Sequence, residues 1–351
     1  MNEIVSRSLI EDIRNLIDAA KARVAIKVNQ EMTLLYWNVG KRVYEDILKA
    51  DRAGYGEQII SILAEQLSAE YGKGFSTRNL TYMIEFYKNF QDAHILQTLS
   101  AKLTWSHFLS LSSVKEQEAR EFYAYMAVED NWSVRQLRFH IHRMLFERTN
   151  ATSSQGRLVK SLVELKTTQS LSPDLVLKNP YILDFLQLPE DHSESELENA
   201  ILQEIQQFIL ELGTGFSFIE RQKRITIDEE HYYLDLLFFN RKLKRLVAIE
   251  LKSGKFKPQY KGQMELYLGW LKKFEMMPEE NSPIGIILCT EKSDHQVELL
   301  DMEHGPIHVA EYWTEIPPVE VFERKIREIV IRAQEKNKEN HPKLEKVNEE
   351  K

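Results

Sequence analysis

Apolar residues recur at three- and four-residue spacing through the first 150 positions, with no sustained strand-like alternation, and this predicts a helical N-terminal domain over residues 1–150. Leu9, Ile13, Leu16, Ile17 and Ala20 fall on one face of a helix over 9–26, and Leu35, Tyr36, Val39, Val43 and Ile47 on one face of a second over 32–48. In the second, Tyr36-Trp37-Asn38-Val39-Gly40-Lys41 reads as an aromatic core segment in which Gly40 lets another helix approach closely. Residues 59–71, the turn Gly72-Lys73-Gly74-Phe75 and residues 76–90 read as helix, glycine turn and a second helix capped by Ser76. That unit is helix-turn-helix-like, and if it enters a DNA groove then Thr77, Arg78, Asn79 and Tyr82 at the start of its second helix are the contact candidates. An ordinary helical hairpin is the competing reading. Ser133 after Trp132 is an attractive cap for a helix over 134–148, whose Arg135, Arg138, His142, Arg143 and Arg148 form a basic stripe toward nucleic acid, an acidic partner or solvent. His107, His140 and His142 lack the acidic company of a metal site and read as structural.

The pattern changes beyond Thr149-Asn150-Ala151-Thr152-Ser153-Ser154-Gln155, which is small, polar and uncharged. Residues 151–185 read as a linker with connecting helices, one of them over 158–166. A domain over 186–335 follows, with an amphipathic helix from Glu194 to Leu212 closed by Gly213 and a strand from Phe216 to Ile227. The runs Tyr232–Phe239 and Leu246–Leu251, joined by a basic turn, form a hairpin. Pro258 opens a helix through Phe274, and Ile284–Cys289 is apolar enough for a sheet centre. The order is α-β-β-β-α-β. Residues 307–312 are expected to add an edge strand, and Pro317-Pro318 leads to a last helix over 319–334. Residues 336–351 are a charged tail expected to be disordered.

A chain of 351 residues suggests two domains, and 43% hydrophobic with 28% charged residues is ordinary for a soluble protein. No apolar run approaches a membrane span and the N-terminus is not a secretory signal, so a cytoplasmic protein with no membrane contact is expected. The single cysteine, Cys289, rules out an internal disulfide and a cysteine-rich zinc site. A net charge of −8 argues against general affinity for nucleic acid, but Glu220–Lys273 holds thirteen basic residues against seven acidic ones. Lys242, Lys244, Arg245, Lys255, Lys257 and Lys261 supply much of that local excess and are candidates for phosphate contact. Residues 51–150, with eleven basic and twelve acidic residues, offer no such footprint.

Each strand of the hairpin is interrupted by one acid: Asp235 between Leu234 and Leu236, and Glu250 between Ile249 and Leu251. An ionised carboxylate at such a position is costly without a partner, and a divalent ion is a natural one. Alternation puts Glu250 and Lys252 on one side of the sheet, and strand pairing can bring Asp235 alongside. Two carboxylates and a lysine suit phosphodiester hydrolysis, which needs a cation to neutralise charge on the phosphate and a positioned attacking water. Asp235 and Glu250 would hold magnesium, and Lys252 would orient the water. A surface hairpin with Glu250 and Lys252 solvated is the plain alternative. No nucleotide-binding glycine loop or nucleophilic serine or cysteine signature is present, which argues against an ATPase or covalent hydrolase.

Asp235, Glu250-Leu251-Lys252 and Gln263 on the following helix resemble the PD-(D/E)XK nuclease superfamily. Phe208-Ile209-Leu210-Glu211-Leu212-Gly213, Arg221-Gln222, Leu234-Asp235-Leu236-Leu237-Phe238, Gly262-Gln263-Met264 and Gly285-Ile286-Ile287-Leu288-Cys289 resemble the nuclease half of YhcG-like bacterial proteins, which carry a helical domain ahead of it. The motif's leading proline is absent, with Leu234 in its place. The resemblance implies an α+β chain, an all-α N-terminal domain followed by an α/β restriction-endonuclease-like (αβββαβ) domain. It implies an endonuclease acting on DNA in defence or DNA processing, with Mg2+ as cofactor and Mn2+ as a substitute. The site it implies is Asp235, Glu250, Lys252 and Gln263, with the backbone carbonyl of Leu251 as a further metal ligand and a first-helix acid, Glu198 or else Glu211. Arg78, Asn79, Arg135, Arg138, Lys255, Lys257 and Lys261, from the helix-turn-helix-like unit, the basic stripe and the local basic excess, are the candidate nucleic-acid contacts. Homodimerisation and protein partners on the helical domain are further expectations. A catalytically silent nucleic-acid-binding or assembly module, and a nuclease of RNA or branched DNA, remain open alternatives.

Overall fold

The structure, a computed structural model, describes residues 7–49, 55–152, 157–168, 171–189, 191–302 and 305–340, and the chain divides into two compact units at Arg143/Met144. The first unit is helical: α1 (Arg7–Lys49), α2 (Tyr55–Tyr71), α3 (Thr77–Asn89), α4 (Ala93–Ser100), α5 (Trp105–Ser112), α6 (Gln117–Glu129) and α7 (Val134–His142). The two helices expected over 9–26 and 32–48 are one continuous α1, because residues 27–31 between them contain neither proline nor glycine. The face expected to be buried over 9–26 is open, with Leu16 70% and Ile17 47% exposed. The core begins further along, at Trp37 and Val43, where α3 crosses α1. Gly40 makes that crossing possible: a Cβ there would stand 1.9 Å from the carbonyl oxygen of Met83.

The glycine turn is a 3₁₀ turn, Lys73–Phe75, between α2 and α3. Ser76 stands at the N-cap of α3 but makes no side-chain capping bond; Asn79 Nδ2 instead donates to Gly74 O over 3.1 Å and ties the turn to the helix. Ser133 caps α7 as expected, in a capping box with Gln136. The helix expected to continue to Arg148 stops at His142, and Met144 takes a left-handed conformation with φ 51°.

The second unit contains α8 (Leu145–Asn150), α9 (Arg157–Thr168), β1 (Tyr181–Ile182), α10 (Glu194–Gln203), α11 (Ile205–Leu212), β2 (Phe216–Ile227), β3 (Glu230–Asn240), β4 (Arg245–Leu251), α12 (Gln259–Phe274), β5 (Ile284–Cys289), α13 (Asp294–Leu299), β6 (Ile307–Trp313) and α14 (Val319–Asn340). Its sheet runs β1-β6-β5-β4-β3-β2. The hairpin pairs β2–β3 and β3–β4 are antiparallel, while β4–β5, β5–β6 and β6–β1 are parallel. Two cores sandwich the sheet. One joins Leu197, Ile201, Phe208 and Leu212 of α10 and α11 to Phe238, Val247 and Ile249; the other joins Met264, Tyr267 and Leu271 of α12 to Leu237, Ala248 and Ile287. β5, buried along its whole length, ends at the buried Cys289.

Three details depart from the periodicity. The helix expected over Glu194–Leu212 is broken at Glu204 into α10 and α11. β6 is an inner strand, because the two-residue β1 pairs with its outer side. Arg148 does not belong to a surface stripe: it is 1% exposed, and its Nη1 donates to Glu211 Oε1 over 2.6 Å and to Pro180 O over 3.0 Å. The break after α7 turns it inward. α14 includes residues 336–340 of the expected tail; 341–351 and residues 153–156 of the polar stretch lie outside the described residues. Among the described residues no helix is long and apolar enough to cross a membrane.

Candidate active site

The register of the hairpin builds the site. Leu236 pairs with Ile249 across β3 and β4, so the next positions, Asp235 and Glu250, stand opposite one another on the same face. On the other side of β3, Arg221 pairs with Leu236 and Lys223 with Leu234, which sets Gln222 opposite Asp235. A single row of side chains, Gln222, Asp235 and Glu250, therefore crosses three strands.

Each carboxylate is tied to its neighbours. Asp235 Oδ2 accepts from Leu251 N over 2.8 Å, and Asp235 N donates to Glu250 Oε1 over 3.4 Å. Lys252 follows β4 and reaches back to Glu250 Oε2 at 3.0 Å and to Glu194 Oε2 at 3.7 Å. Its ammonium also lies over the Tyr260 ring, 5.2 Å from the centroid. Burial, reinforced by the charge of Asp235, pushes the Glu250 carboxyl up to about 7 against the pull of Lys252. Burial likewise raises Asp235. Burial alone would lower Lys252, but the facing carboxylates, Glu250 foremost, outweigh it and raise it. The result is an acid pair short of positive charge, with a firmly protonated lysine beside it.

Glu198 arrives from α10. Gln222 Nε2 donates to Glu198 Oε2 over 2.8 Å and to Asp235 Oδ1 over 3.1 Å, so one amide spans both acids. Glu198 Oε1 is buried and makes no hydrogen bond, although Arg221 Nε lies 3.4 Å away. Glu211, the other first-helix candidate, belongs elsewhere: it is buried with Arg148 and Lys178 and accepts from Ile182 N over 3.1 Å. Gln263 sits on α12 but bonds Tyr267, not the acids, its Nε2 donating to Tyr267 Oη over 2.6 Å. Tyr267 in turn donates to Tyr233 O over 3.3 Å. Leu251 borders the site through its main chain. Among the described residues no three His, Cys, Asp or Glu side chains gather closely enough to ligate one ion.

The basic residues scatter more widely than the local charge count suggests. Lys242, Lys244 and Arg245 lie at the hairpin turn, the opposite end of β4 from Glu250 and roughly 17 Å from it along the strand. Lys255 pairs with Glu291 at 2.8 Å and Lys261 with Glu265 at 3.2 Å, while Lys257 is exposed just before α12. In the first unit Arg78 Nε donates to Tyr82 Oη over 2.9 Å and Arg138 Nε to Ser110 Oγ over 2.9 Å; Arg135 is exposed. Gln222 and Glu194 are the contributors that sequence reasoning leaves out. Glu194 reads as an ordinary first-turn acid, and only the Arg221-Gln222 dipeptide hints at the other.

Residues 174–327 match the YhcG PDDEXK nuclease domain and residues 12–148 the DUF1016 N-terminal domain. The chain is 33% identical over 355 aligned residues to YhcG of Escherichia coli (strain K12), covering 92% of this chain and 93% of that protein. The chain belongs to this YhcG family, with a helical N-terminal region ahead of a restriction-endonuclease-like PDDEXK nuclease domain. Similar solved structures include a repair endonuclease from Pyrococcus abyssi (27% identity, TM-score 0.26, covering 37% of this chain and 50% of that one). Another is an EndoMS complex with double-stranded DNA (19% identity, TM-score 0.28, covering 37% and 47%). The matches thus span about half the length of those solved chains.

Proposed function

We propose that this protein is a divalent-cation-dependent endonuclease that hydrolyses DNA phosphodiesters in the cytoplasm, with Asp235, Glu250 and Lys252 as its catalytic centre. The observation that carries this is the opposition of Asp235 and Glu250 across β3 and β4 with Lys252 Nζ 3.0 Å from Glu250. The donor set fits a hard cation: both carboxyls are raised by burial, and Glu198 offers a buried oxygen with no hydrogen bond. Asp235 and Glu250, with the Leu251 carbonyl, would hold Mg2+, with Mn2+ as a substitute. When bound, the ion would neutralise charge on the scissile phosphate and lower the pKa of water.

The chain's own groups do the rest. The Leu251 N–H fixes the Asp235 carboxylate, and the Asp235 N–H steadies Glu250. Lys252 carries a permanent positive charge beside the acids, suited to orienting a water and stabilising the phosphorane-like charge that builds as it attacks. Glu194 and Tyr260 restrict where that ammonium can move. Gln263 supports the wall of the site through Tyr267.

The test is incubation of the purified protein with supercoiled, linear, branched and single-stranded DNA and with RNA, in Mg2+ or Mn2+ and in chelator. Cation-dependent cleavage that Asp235→Ala abolishes with the fold retained is the expected result. Cleavage of no substrate, or undiminished cleavage by Asp235→Ala, overturns the reading.

A further inference from the structure

We infer that the Gln222 amide clamps Glu198 and Asp235 together in the cation-free protein and releases Glu198 when a divalent cation is taken up, so that Gln222 is a positioning residue of the site. This rests on the cation-dependent reading above and adds to it a residue that exchanges roles with the ion.

Three independent observations converge on Gln222. Its amide nitrogen has two hydrogens and both partners are carboxylate oxygens, Glu198 Oε2 at 2.8 Å and Asp235 Oδ1 at 3.1 Å. The amide therefore stands between two acids that would otherwise repel, which is the place of a cation in an acid cluster. Second, Gln222 has φ +48° inside β2, a left-handed conformation that a non-glycine residue holds only where its surroundings dictate it. Third, Glu198 Oε1 is one of two buried side-chain oxygens without a hydrogen bond among the described residues, the other being Ser112 Oγ. Glu198 is thus half satisfied: the clamp holds one oxygen and leaves the other facing the exposed Arg221 side chain. With Gln222 interposed, Glu198 does not join Asp235 and Glu250 in a three-acid set.

An amide in this role makes the cation-free site tolerable, and it competes with the ion for the same oxygens. Removing it loses two charge-assisted hydrogen bonds when no ion is bound and removes the competitor when one is. Both effects appear together as a protein less stable in chelator that binds the ion more tightly, because an ion that stabilises the folded state reports its affinity in the unfolding temperature.

The experiment uses full-length wild type, Gln222→Ala and Gln222→Gly. Thermal unfolding is followed in chelator and in saturating Mn2+, and Mn2+ affinity is measured by electron paramagnetic resonance without nucleic acid. Gln222→Ala is expected to unfold about 5 °C below wild type in chelator, with the gap closing in Mn2+ and the dissociation constant falling at least about fivefold. Gln222→Gly relieves the left-handed backbone and is expected to recover part of the unfolding temperature while keeping the tighter binding. If Gln222→Ala does not fold, Gln222→Asn, one methylene too short to span both acids, takes its place with the same expectations. A gap that persists in Mn2+, or unchanged affinity in the variant, overturns the clamp and leaves the nuclease reading standing. Wild type with no affinity for Mn2+ removes the cation-dependent reading and the clamp with it.

Discussion

The Asp235 main-chain N–H donates to Glu250 Oε1 over 3.4 Å, so the acid of one strand is fixed by the backbone that carries the acid of the next. The antiparallel ladder between β3 and β4 holds the two residues opposite one another on one face of the sheet. Their mutual repulsion is therefore built into the folded state and is relieved by protonation, by Lys252 or by a cation.

Protonation gives a prediction with a definite sign. Glu250 titrates from an ordinary 4.5 when unfolded to about 7 when folded. Its protonated form stabilises the fold fully below about 4.5, and that contribution, on the order of 3 kcal/mol, is lost as the pH rises through about 7. In chelator, Glu250→Gln should remove this dependence, leaving the variant more stable than wild type at pH 8 and similar at pH 4.5. Chemical denaturation of both proteins across that range measures it.

Lys252 carries the only cation bonded directly to Glu250 among the described residues. In the reaction proposed here, Lys252→Met should leave the β3–β4 hairpin folded, by circular dichroism, and lower single-turnover cleavage by roughly 10³-fold or more, because the charge assigned to the developing anion is lost. A neutral side chain here also removes the main pull downward on Glu250, moving its titration further up.

Arg148 and Glu211 are a buried ion pair at 2.6 Å, with Arg148 1% and Glu211 6% exposed. Burial alone would raise Glu211, yet Arg148 and then Lys178 hold it below the usual carboxylate range. Arg148→Met should cost about 3 kcal/mol, since it removes the nearest cation from a buried carboxylate and leaves Lys178 at 3.9 Å beside it. The double variant Arg148→Met/Glu211→Gln should cost less than the two single changes added together, read from urea denaturation.

Two glycines separate close contact with backbone from close contact with a flexible side chain. At Gly40 a new Cβ meets Met83 O at 1.9 Å, so Gly40→Ala must push α3 away and should destabilise the first unit by about 2–3 kcal/mol or more. At Gly285 the nearest atom is Met264 Sδ at 2.5 Å, a side chain that can turn aside, so Gly285→Ala should cost less. Differential scanning calorimetry of the two variants compares them.

The β3–β4 hairpin is legible in the sequence because each acid breaks an apolar run and strand alternation fixes which side chains share a face. The α-β-β-β-α-β succession is legible up to β5, whereas β1, only two residues long, carries no pattern to detect, and this is why β6 reads as an edge. Gln222 is hinted at only by the Arg221-Gln222 dipeptide, because its contacts come from a left-handed residue within a strand and from an acid 24 positions earlier. Arg148 misleads because its spacing fits the α7 stripe while the break at Met144 rotates it inward. Met144 itself is not a residue type that announces a helix end, and the basic His142-Arg143 ahead of it reads equally well as part of the stripe.

That inward turn decides where the chain can be divided. Arg148 lies ahead of the polar stretch at 149–155 and ahead of residue 174, where the nuclease-family match begins, yet its guanidinium neutralises a carboxylate in α11 beneath the sheet. Excising the second unit at either of those positions would strip Glu211 of its guanidinium partner and leave Lys178 as the cation beside it, so a fragment that keeps this pair has to start by Met144.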